Sequence, residues 1–384
     1  YGVREYGDRT DAEAAFASAE HTVDIEIIHN RLAPAAMEPR GCNIAWDGET
    51  LTVYQGCQSV HVLRDRLANS MRLDSKDIHF ISPDVGGAFG LKFFLQCETV
   101  VAAHAAMATG RPVKWMADRN ESFLSDLHGR DHVTRGAMAL DAEGKITAMR
   151  VTIRANLGAY CSQAGPMIPW FGACMTTGCY DVGIAYVDVE MVVTNTVPVD
   201  AYRGAGRPEA AYLVERLMDK AAMQLGISPI EIRRRNFIRP EQFPYQTPTG
   251  RAYDSGEYTR LMDAALERAD WDGFEGRRAE SAARGRLRGI GMSYYVEICS
   301  AMGGENTYVR FEPDGRVTVL IGTQASGQGH ETSYAQMVAA ELDIDIERID
   351  IVQGDSRLVP TGEGTGGSRS MAIGGSSLLR SVES

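Results

Sequence analysis

From about residue 12 to 41 the chain alternates polar and apolar positions with a period of two, most plainly in "HTVDIEIIHNR", and predicts a strand. "CNIAWDGETLTVYQG" predicts two more strands around the Asp47-Gly48 turn signal. The period then changes. "VHVLRDRLANSMRL" is helical, "DIHFISPDV" a strand, "CETVVAAHAAMATG" a helix closed by Gly110, and "PVKWMADR" a strand. "ALDAEGKITAMRVTIRANLG" predicts a hairpin through Glu143-Gly144, and "EAAYLVERLMDKAAMQLG" an amphipathic helix followed by "SPIEIRRRNFI". A proline-rich connector, "RPEQFPYQTPTGRAYDSG", is the best boundary in the chain. Beyond it come a helix over 258–269, an arginine-rich solvated segment, and strands in "LRGIGMSYYVEI" and "NTYVRFEPDGRVTVLIG". The helix "HETSYAQMVAAELDI", the strand "RIDIVQGD" and the loop "PTGEGTGGSRS" complete the pattern. Strands and helices interleave, with hairpins as well as crossovers, so the fold class is α+β (mixed α/β) in two domains, without a fixed-period repeat.

Composition narrows the function classes. A chain of 384 residues with 44% hydrophobic content can bury a large core, and no apolar run is long enough to cross a bilayer. The 51 acidic residues against 39 basic ones argue against nucleic acid, whose binding rests on neutralising phosphates. The seven cysteines are scattered, odd in number and without a CxxC pair, which suggests reduced thiols in a cytoplasmic protein and no structural zinc site. No basic and apolar export signal follows Tyr1.

The chemistry is concentrated in loops. "DVGGAFGLKFF" places three glycines around Phe89 just before Lys92, which asks for a backbone at positive φ or in close contact with another group. It is not a Walker loop, because Phe93 follows Lys92. "GQGHET" and "GAGRPE" each miss the dinucleotide fingerprint by one residue. Five polar or glycine-rich loops remain: 56–58, 86–92, 202–209, 327–332 and 360–370. One alone reads as a tight turn; five together suggest a cradle of main-chain N–H groups for a polar, anionic ligand.

In order and separation, "VGGAFGLK", "AYRGAGRPEA" and "GQGHET", with "AAMEPR" and "QGCQSVHVLRD", resemble the molybdenum hydroxylase family of xanthine dehydrogenase, aldehyde oxidase and carbon monoxide dehydrogenase, in its large molybdopterin-binding subunit. The resemblance covers nearly the whole chain. It implies a molybdenum-bearing molybdopterin cofactor in its cytosine dinucleotide form, and no FAD or iron–sulfur cluster in this chain. Partner subunits would carry those groups, in an oligomeric complex acting on a small molecule. By position, Gln58, Phe89 and Arg203 would lie nearest the metal, and Gly87, Ala88, Phe89, Arg203, Gln328, Gly329, Gly367, Ser368 and Ser370 would contact the cofactor. No residue is expected to ligate the metal.

The resemblance also sets the expected boundaries: 1–17 a linker from a missing N-terminal domain, 18–245 a first molybdopterin-binding domain, 246–270 a connector and helix, and 271–384 the beginning of a second domain, left incomplete. The chain then reads as an internal fragment, inactive alone, with the family's catalytic glutamate outside it. Carbon monoxide oxidisers carry a copper-binding cysteine where Gly204 stands, and purine oxidisers an acidic residue at Phe93 and an aromatic at Ala205. An aldehyde or N-heterocycle is therefore the expected substrate, and a non-catalytic cofactor-binding or assembly module is the alternative. Glu98, Glu331 and Glu363 are weak candidates for the base, since exposed carboxylates are far commoner than catalytic ones. His330 is expected to hydrogen-bond, and the arginine run from Arg233 to face solvent or a partner.

Overall fold

A computed structural model describes residues 2–299 and 303–384. The chain forms two compact units. One is built from residues 2–32, Arg130–Val199 and Gly204–Glu297, the other from Ala33–Gly129, Asp200–Arg203 and the described part of 298–384. The units thus interleave along the chain, and each is taken separately below.

The first unit is organised on a five-stranded sheet in the order Gly2–Gly7, Ile184–Val193, Ile146–Gly158, His132–Leu140, His21–His29. All neighbours are antiparallel except Ile146–Gly158 with Ile184–Val193, whose parallel pairing requires the long crossover that contains the helix Met167–Ala173. The helix Arg207–Leu225 covers the sheet, burying Leu213, Val214, Leu217 and Met218 among Met138, Met149, Val151 and Val187. Its C-cap, Gly226, takes the left-handed conformation at φ +67° that lets the main chain close over the last turn.

Three features of this unit differ from the sequence reading. Residues 1–17, expected as a linker, contain the strand Gly2–Gly7, paired along its length with Ile184–Val193, and the helix Arg9–Ala17, capped by the Asp8 carboxylate. The alternation thus begins at His21. "LRGIGMSYYVEI" forms no strand. Two of its backbone groups meet side chains instead: Tyr294 N–H donates to Glu215 Oε2 (2.7 Å), and the Met292 carbonyl accepts from Arg233 (3.5 Å). Arg233 does not face solvent. Its guanidinium is fully buried against Glu215 (2.8 Å) and Asp219 (2.9 Å), whereas Arg234 and its partner Asp263 are exposed.

The second unit contains the same arrangement twice. Gly41–Trp46 and Leu51–Tyr54 form a hairpin, the helix Val60–Met71 follows, and Ile78–Ile81 returns parallel to the second strand. Thr307–Phe311, Val317–Ile321, the helix His330–Leu342 and Ile349–Val352 repeat that path. Local signals repeat as well. Each helix ends on a left-handed residue, Arg72 or Asp343, and each return strand is preceded by an aspartate, Asp74 or Asp345, capping a single 3₁₀ turn. The two copies join end to end: Ile81 bridges Asp355, Ser82 N–H donates to Gly354 O (2.7 Å), and the His79 imidazole meets Asp355 at 2.9 Å. The repeat is one of backbone path and cap chemistry, with side chains different enough to hide it from a search for a period. Val113–Met116 completes the first sheet beside Gly41–Trp46.

Among the described residues no helix is long and apolar enough to cross a membrane. The seven cysteines are free thiols.

Candidate functional site

All the residues expected near the metal or the cofactor lie in the second unit, whereas Gly204, Ala205 and Arg233 belong to the first. The glycine-rich loop shows why it needs an open backbone. Gly87, Phe89 and Gly90 have φ of +92°, +56° and +105°. A Cβ on Gly86 would lie 2.5 Å from Glu38 Cβ, and one on Gly90 would lie 2.3 Å from the Ala201 carbonyl oxygen. Ala88 O accepts from Leu91 N–H (3.0 Å) and Gly90 O from Phe93 N–H (3.1 Å), so the loop closes in two successive tight turns. Replacing Gly90 by alanine combines a disfavoured φ with a main-chain clash. A loss of at least about 1–3 kcal/mol is expected in urea unfolding, whereas alanine at Gly110, where a Cβ would be in open space and only the positive φ opposes it, should cost less.

Glu38 is the hub that sequence reasoning missed. Its Oε2 accepts from Gly86 N–H (2.9 Å) and from the Lys92 ammonium (2.5 Å), and its own N–H donates to Gly86 O (3.0 Å). Gly56 also packs against it, with a Cβ position 3.1 Å from Oε2. The segments "AAMEPR", "QGCQ" and "VGGAFGLK" are therefore one construction, built around a single carboxylate. Lys92 is almost wholly buried. Burial pulls its pKa below the ordinary lysine range, opposed by the adjacent Glu38 charge. Arg40 forms a second buried cluster with Asp126 (2.6 Å) and Glu98 (2.8 Å), which commits Glu98 to a structural ion pair.

Gln58 ties the loops together. Buried at 6% exposure, it accepts through Oε1 from Gly90 N–H (2.9 Å) and donates through Nε2 to Thr365 O (2.8 Å). Its main chain repeats both links, since Gln58 N–H donates to Lys92 O and Thr365 N–H to Gln58 O. Gln324, which occupies the matching place after the strand of the second copy, donates to Cys57 O (2.8 Å) and accepts from Val60 N–H (3.2 Å). Burial raises the Cys57 thiol to about 11, so it is a packed apolar group and not a nucleophile. The position of Gln324 two residues past a Gly, like that of Gln58, is the one signal that could have marked it.

Arg203 N–H donates to Phe89 O (2.9 Å), and its guanidinium lies 5.7 Å from the centroid of the half-exposed Phe89 ring. Ser370 is buried, its Oγ 2.9 Å from Thr365 Oγ1. Gly367 and Ser368 are exposed on the same turn, both in the left-handed region. Arg369 pins that turn, donating to Gly364 O (2.6 Å) and to the buried Glu305 (2.7 Å). Arg203, Phe89, Gly90, Gln58, Thr365 and Ser370 thus form one hydrogen-bonded chain.

Gln328 joins it only by proximity. Gly327 comes up to Val85, with a Cβ position 3.6 Å from Val85 O, while the exposed Gln328 side chain folds back onto Ser326 N–H (2.6 Å). Gly329 takes φ +71° as the helix cap beside it, with open space where a Cβ would point. His330 is buried with Nδ1 2.9 Å from Thr323 O, a structural hydrogen bond, and desolvation lowers its pKa. Glu331 is hydrogen-bonded by Gln353. Among the described residues no group of three or more His, Cys, Asp or Glu is placed to hold a metal ion.

Comparison with known proteins gives this geometry its context. A family model for the molybdopterin cofactor-binding domain matches residues 3–237, and a second of the same description matches 264–384. The carbon monoxide dehydrogenase large chain of Hydrogenophaga pseudoflava is 36% identical, over 97% of this chain and 49% of the relative. The nicotine 6-hydroxylase large subunit of Paenarthrobacter nicotinovorans is 34% identical, over 99% and 48%. The crystal structure of quinoline 2-oxidoreductase from Pseudomonas putida 86 superposes with a TM-score of 0.93 at 30% identity, covering 100% of this chain and 50% of that one. The chain spans about half the length of the curated relatives it matches. With both cofactor-binding domains matched and the α+β fold shared, the chain belongs to the molybdenum hydroxylase family, in its large, molybdopterin-binding subunit.

Proposed function

We propose that this chain is the cofactor-binding core of an oxidoreductase large subunit that hydroxylates an aldehyde or an N-heterocycle. The carrying observation is the continuous chain of hydrogen bonds from Arg203 through Phe89, Gly90 and Gln58 to Thr365 and Ser370, which fixes loops distant in sequence as one surface.

The residues fit a polar, anionic cofactor. Ser326 Oγ is buried without a hydrogen-bond partner among the described residues, between Gln324 and Gln328. Gly329 has open space beside its backbone, and Gly367 and Ser368 are exposed at positive φ. Such loops bind by N–H and hydroxyl donors without needing a single lysine. Gly87, Ala88, Phe89 and Arg203 would hold the metal end, and Gln328, Gly329, Gly367, Ser368 and Ser370 the rest of a molybdopterin cytosine dinucleotide. When bound, that cofactor supplies the two-electron redox chemistry, and the protein supplies orientation and electrostatics. Gln58 is oriented by the two hydrogen bonds of its side-chain amide, and Phe89 presents a ring held beside the Arg203 guanidinium.

Gly204 follows Arg203 in sequence, at φ +93°, and a Cβ there would lie 2.4 Å from the Pro208 ring. A cysteine is therefore poorly accommodated by this backbone, which weighs against carbon monoxide as substrate even though carbon monoxide dehydrogenase large chains are among the relatives. Glu98 and Glu331 are engaged by Arg40 and Gln353. By the family resemblance, the general base would lie in a part of the whole protein outside this chain. Electrons would pass to iron–sulfur and FAD subunits of a cytoplasmic complex.

Metal and nucleotide analysis tests the reading. The whole protein, made in a host that builds the cofactor, should contain about one molybdenum and one cytidine nucleotide per chain. Neither present would favour a non-catalytic assembly module.

A further inference from the structure

The unit built on the five-stranded sheet holds a buried polar pocket that the proposed reaction does not use. Glu209 lies in the first turn of the helix Arg207–Leu225 and is 5% exposed, yet neither Oε1 nor Oε2 has a hydrogen-bond partner among the described residues. Its nearest cation is Arg130, with Nε 3.7 Å from Oε2, beyond hydrogen-bond range. The N–H groups of Gly206 and Glu209 favour its charge without reaching hydrogen-bond geometry.

The carboxyl group lines a cavity of about 10 Å³ together with His132, Thr134 and Thr176, otherwise walled by apolar groups such as Ile153 and Leu213. The wall has little room to collapse, since a Cβ on Gly206 would already lie 2.3 Å from Ile168 O. Buried polar groups in folded proteins are satisfied by protein or by ordered water. About one water-sized sphere fits this volume, and a water needs two to four polar partners. Those partners are present. Thr176 Oγ1 donates to Ala173 O (2.9 Å), which leaves its lone pairs to accept; Glu209 and Thr134 also line the cavity, and their oxygens can supply the remainder.

We propose that this cavity is a binding site for a single ordered water, held by the Glu209 carboxyl group and the hydroxyls of Thr134 and Thr176. An empty cavity would leave both carboxyl oxygens without a hydrogen-bond partner, their burial offset only by the more distant Arg130 charge and the helix-start N–H groups. The water links that helix to the strand His132–Leu140 and to the turn at Thr176.

A crystal structure of the whole protein at about 1.5 Å resolution tests the assignment. The expected result is a density peak 2.6–3.2 Å from a Glu209 oxygen and from at least one of the two hydroxyls, refining as a fully occupied water. Glu209→Met should fill the cavity and abolish the peak; if that variant does not fold, Thr176→Val should lower its occupancy. No peak in the unsubstituted protein, a peak refining as a metal ion, or a peak unchanged by both substitutions would overturn the proposal.

Discussion

Replacing Arg233 by methionine is expected to destabilise the first unit by about 3–5 kcal/mol, the range seen when one partner of a buried ion pair is removed. Arg233 Nε and Nη2 both donate to Glu215 Oε2 (3.0 and 2.8 Å), Nη2 also to Asp219 (2.9 Å), and Nη1 to Pro229 O (2.9 Å). Glu215 is itself 4% exposed, and among the described residues would keep the Tyr180 hydroxyl and the Tyr294 N–H. Burial already pushes its pKa up, with Arg233 as the largest opposing influence, so loss of the guanidinium leaves an uncompensated carboxylate. Lysine should rescue little, because one ammonium cannot reproduce the fork that reaches Glu215, Asp219 and Pro229 together. The control is Arg234→Met, one residue along. Its exposed pair with Asp263 should contribute within about 0.5 kcal/mol. Urea midpoints of the two variants, compared at constant slope, decide the matter, and equal small losses would show that Glu215 is solvated after all. The double replacement of Arg233 and Glu215 by methionine should recover part of the loss, since a buried pair is often worth no more than apolar packing.

That contrast shows what a linear reading can carry. Arg233, Arg234 and Arg235 are indistinguishable in sequence, and only the helix Pro229–Asn236 and its packing decide which is buried. Glu215, the residue that makes burial tolerable, comes from a different helix. The hydrophobic period and the turn signals were legible because they report on neighbours a few residues apart: the hairpin at Asp47-Gly48 and the helix closed by Gly110 are where the alternation and the glycine place them. The glycine loops were legible as close approaches, though not what approached. Glu38 meets Gly86 and Gly56 from a distant segment, and no local pattern marks a glutamate as a hub. Gln58 could be singled out only through resemblance, and its hydrogen bonds to Gly90 and Thr365 explain physically why an amide suits the place: it must donate and accept at once. The segment "LRGIGMSYYVEI" misleads for the opposite reason. Tyr294 is buried as the pattern suggests, but Leu287 and Tyr295 are exposed, and side chains of Glu215 and Arg233 meet the Tyr294 N–H and the Met292 carbonyl with no neighbouring strand.

Acid should weaken this protein before its carboxylates protonate, through His29 and His132. Both are buried, at 8% and 3% exposure, on adjacent paired strands with ring centroids 6.3 Å apart. Desolvation is the main cause that lowers His29 to about 4 and His132 to about 3, reinforced in both by the Arg130 charge and in His132 by His29. His29 also has an unpartnered Nε2 and packs edge-on against Tyr212. An unfolded chain titrates histidine near 6.5, so below that pH it binds protons that the folded state refuses. Stability is therefore fully present above about pH 6.5 and falls with pH, at up to about 1.4 kcal/mol per unit for each histidine. Between pH 6.5 and 5 the pair should account for a loss of about 3–4 kcal/mol, a window in which exposed carboxylates remain ionised. Glu209 works in the opposite sense. Burial raises its pKa, so the folded state holds its proton to higher pH than the unfolded chain does, and Glu209→Gln should steepen the fall. Urea unfolding at pH 7, 6 and 5 measures the slope directly, and imidazole proton shifts in the folded protein should show neither ring titrating above pH 5. A His29→Gln, His132→Gln protein that loses stability over this range as steeply as the unsubstituted chain, or folded-state titration of either ring near pH 6.5, would place the acid sensitivity elsewhere.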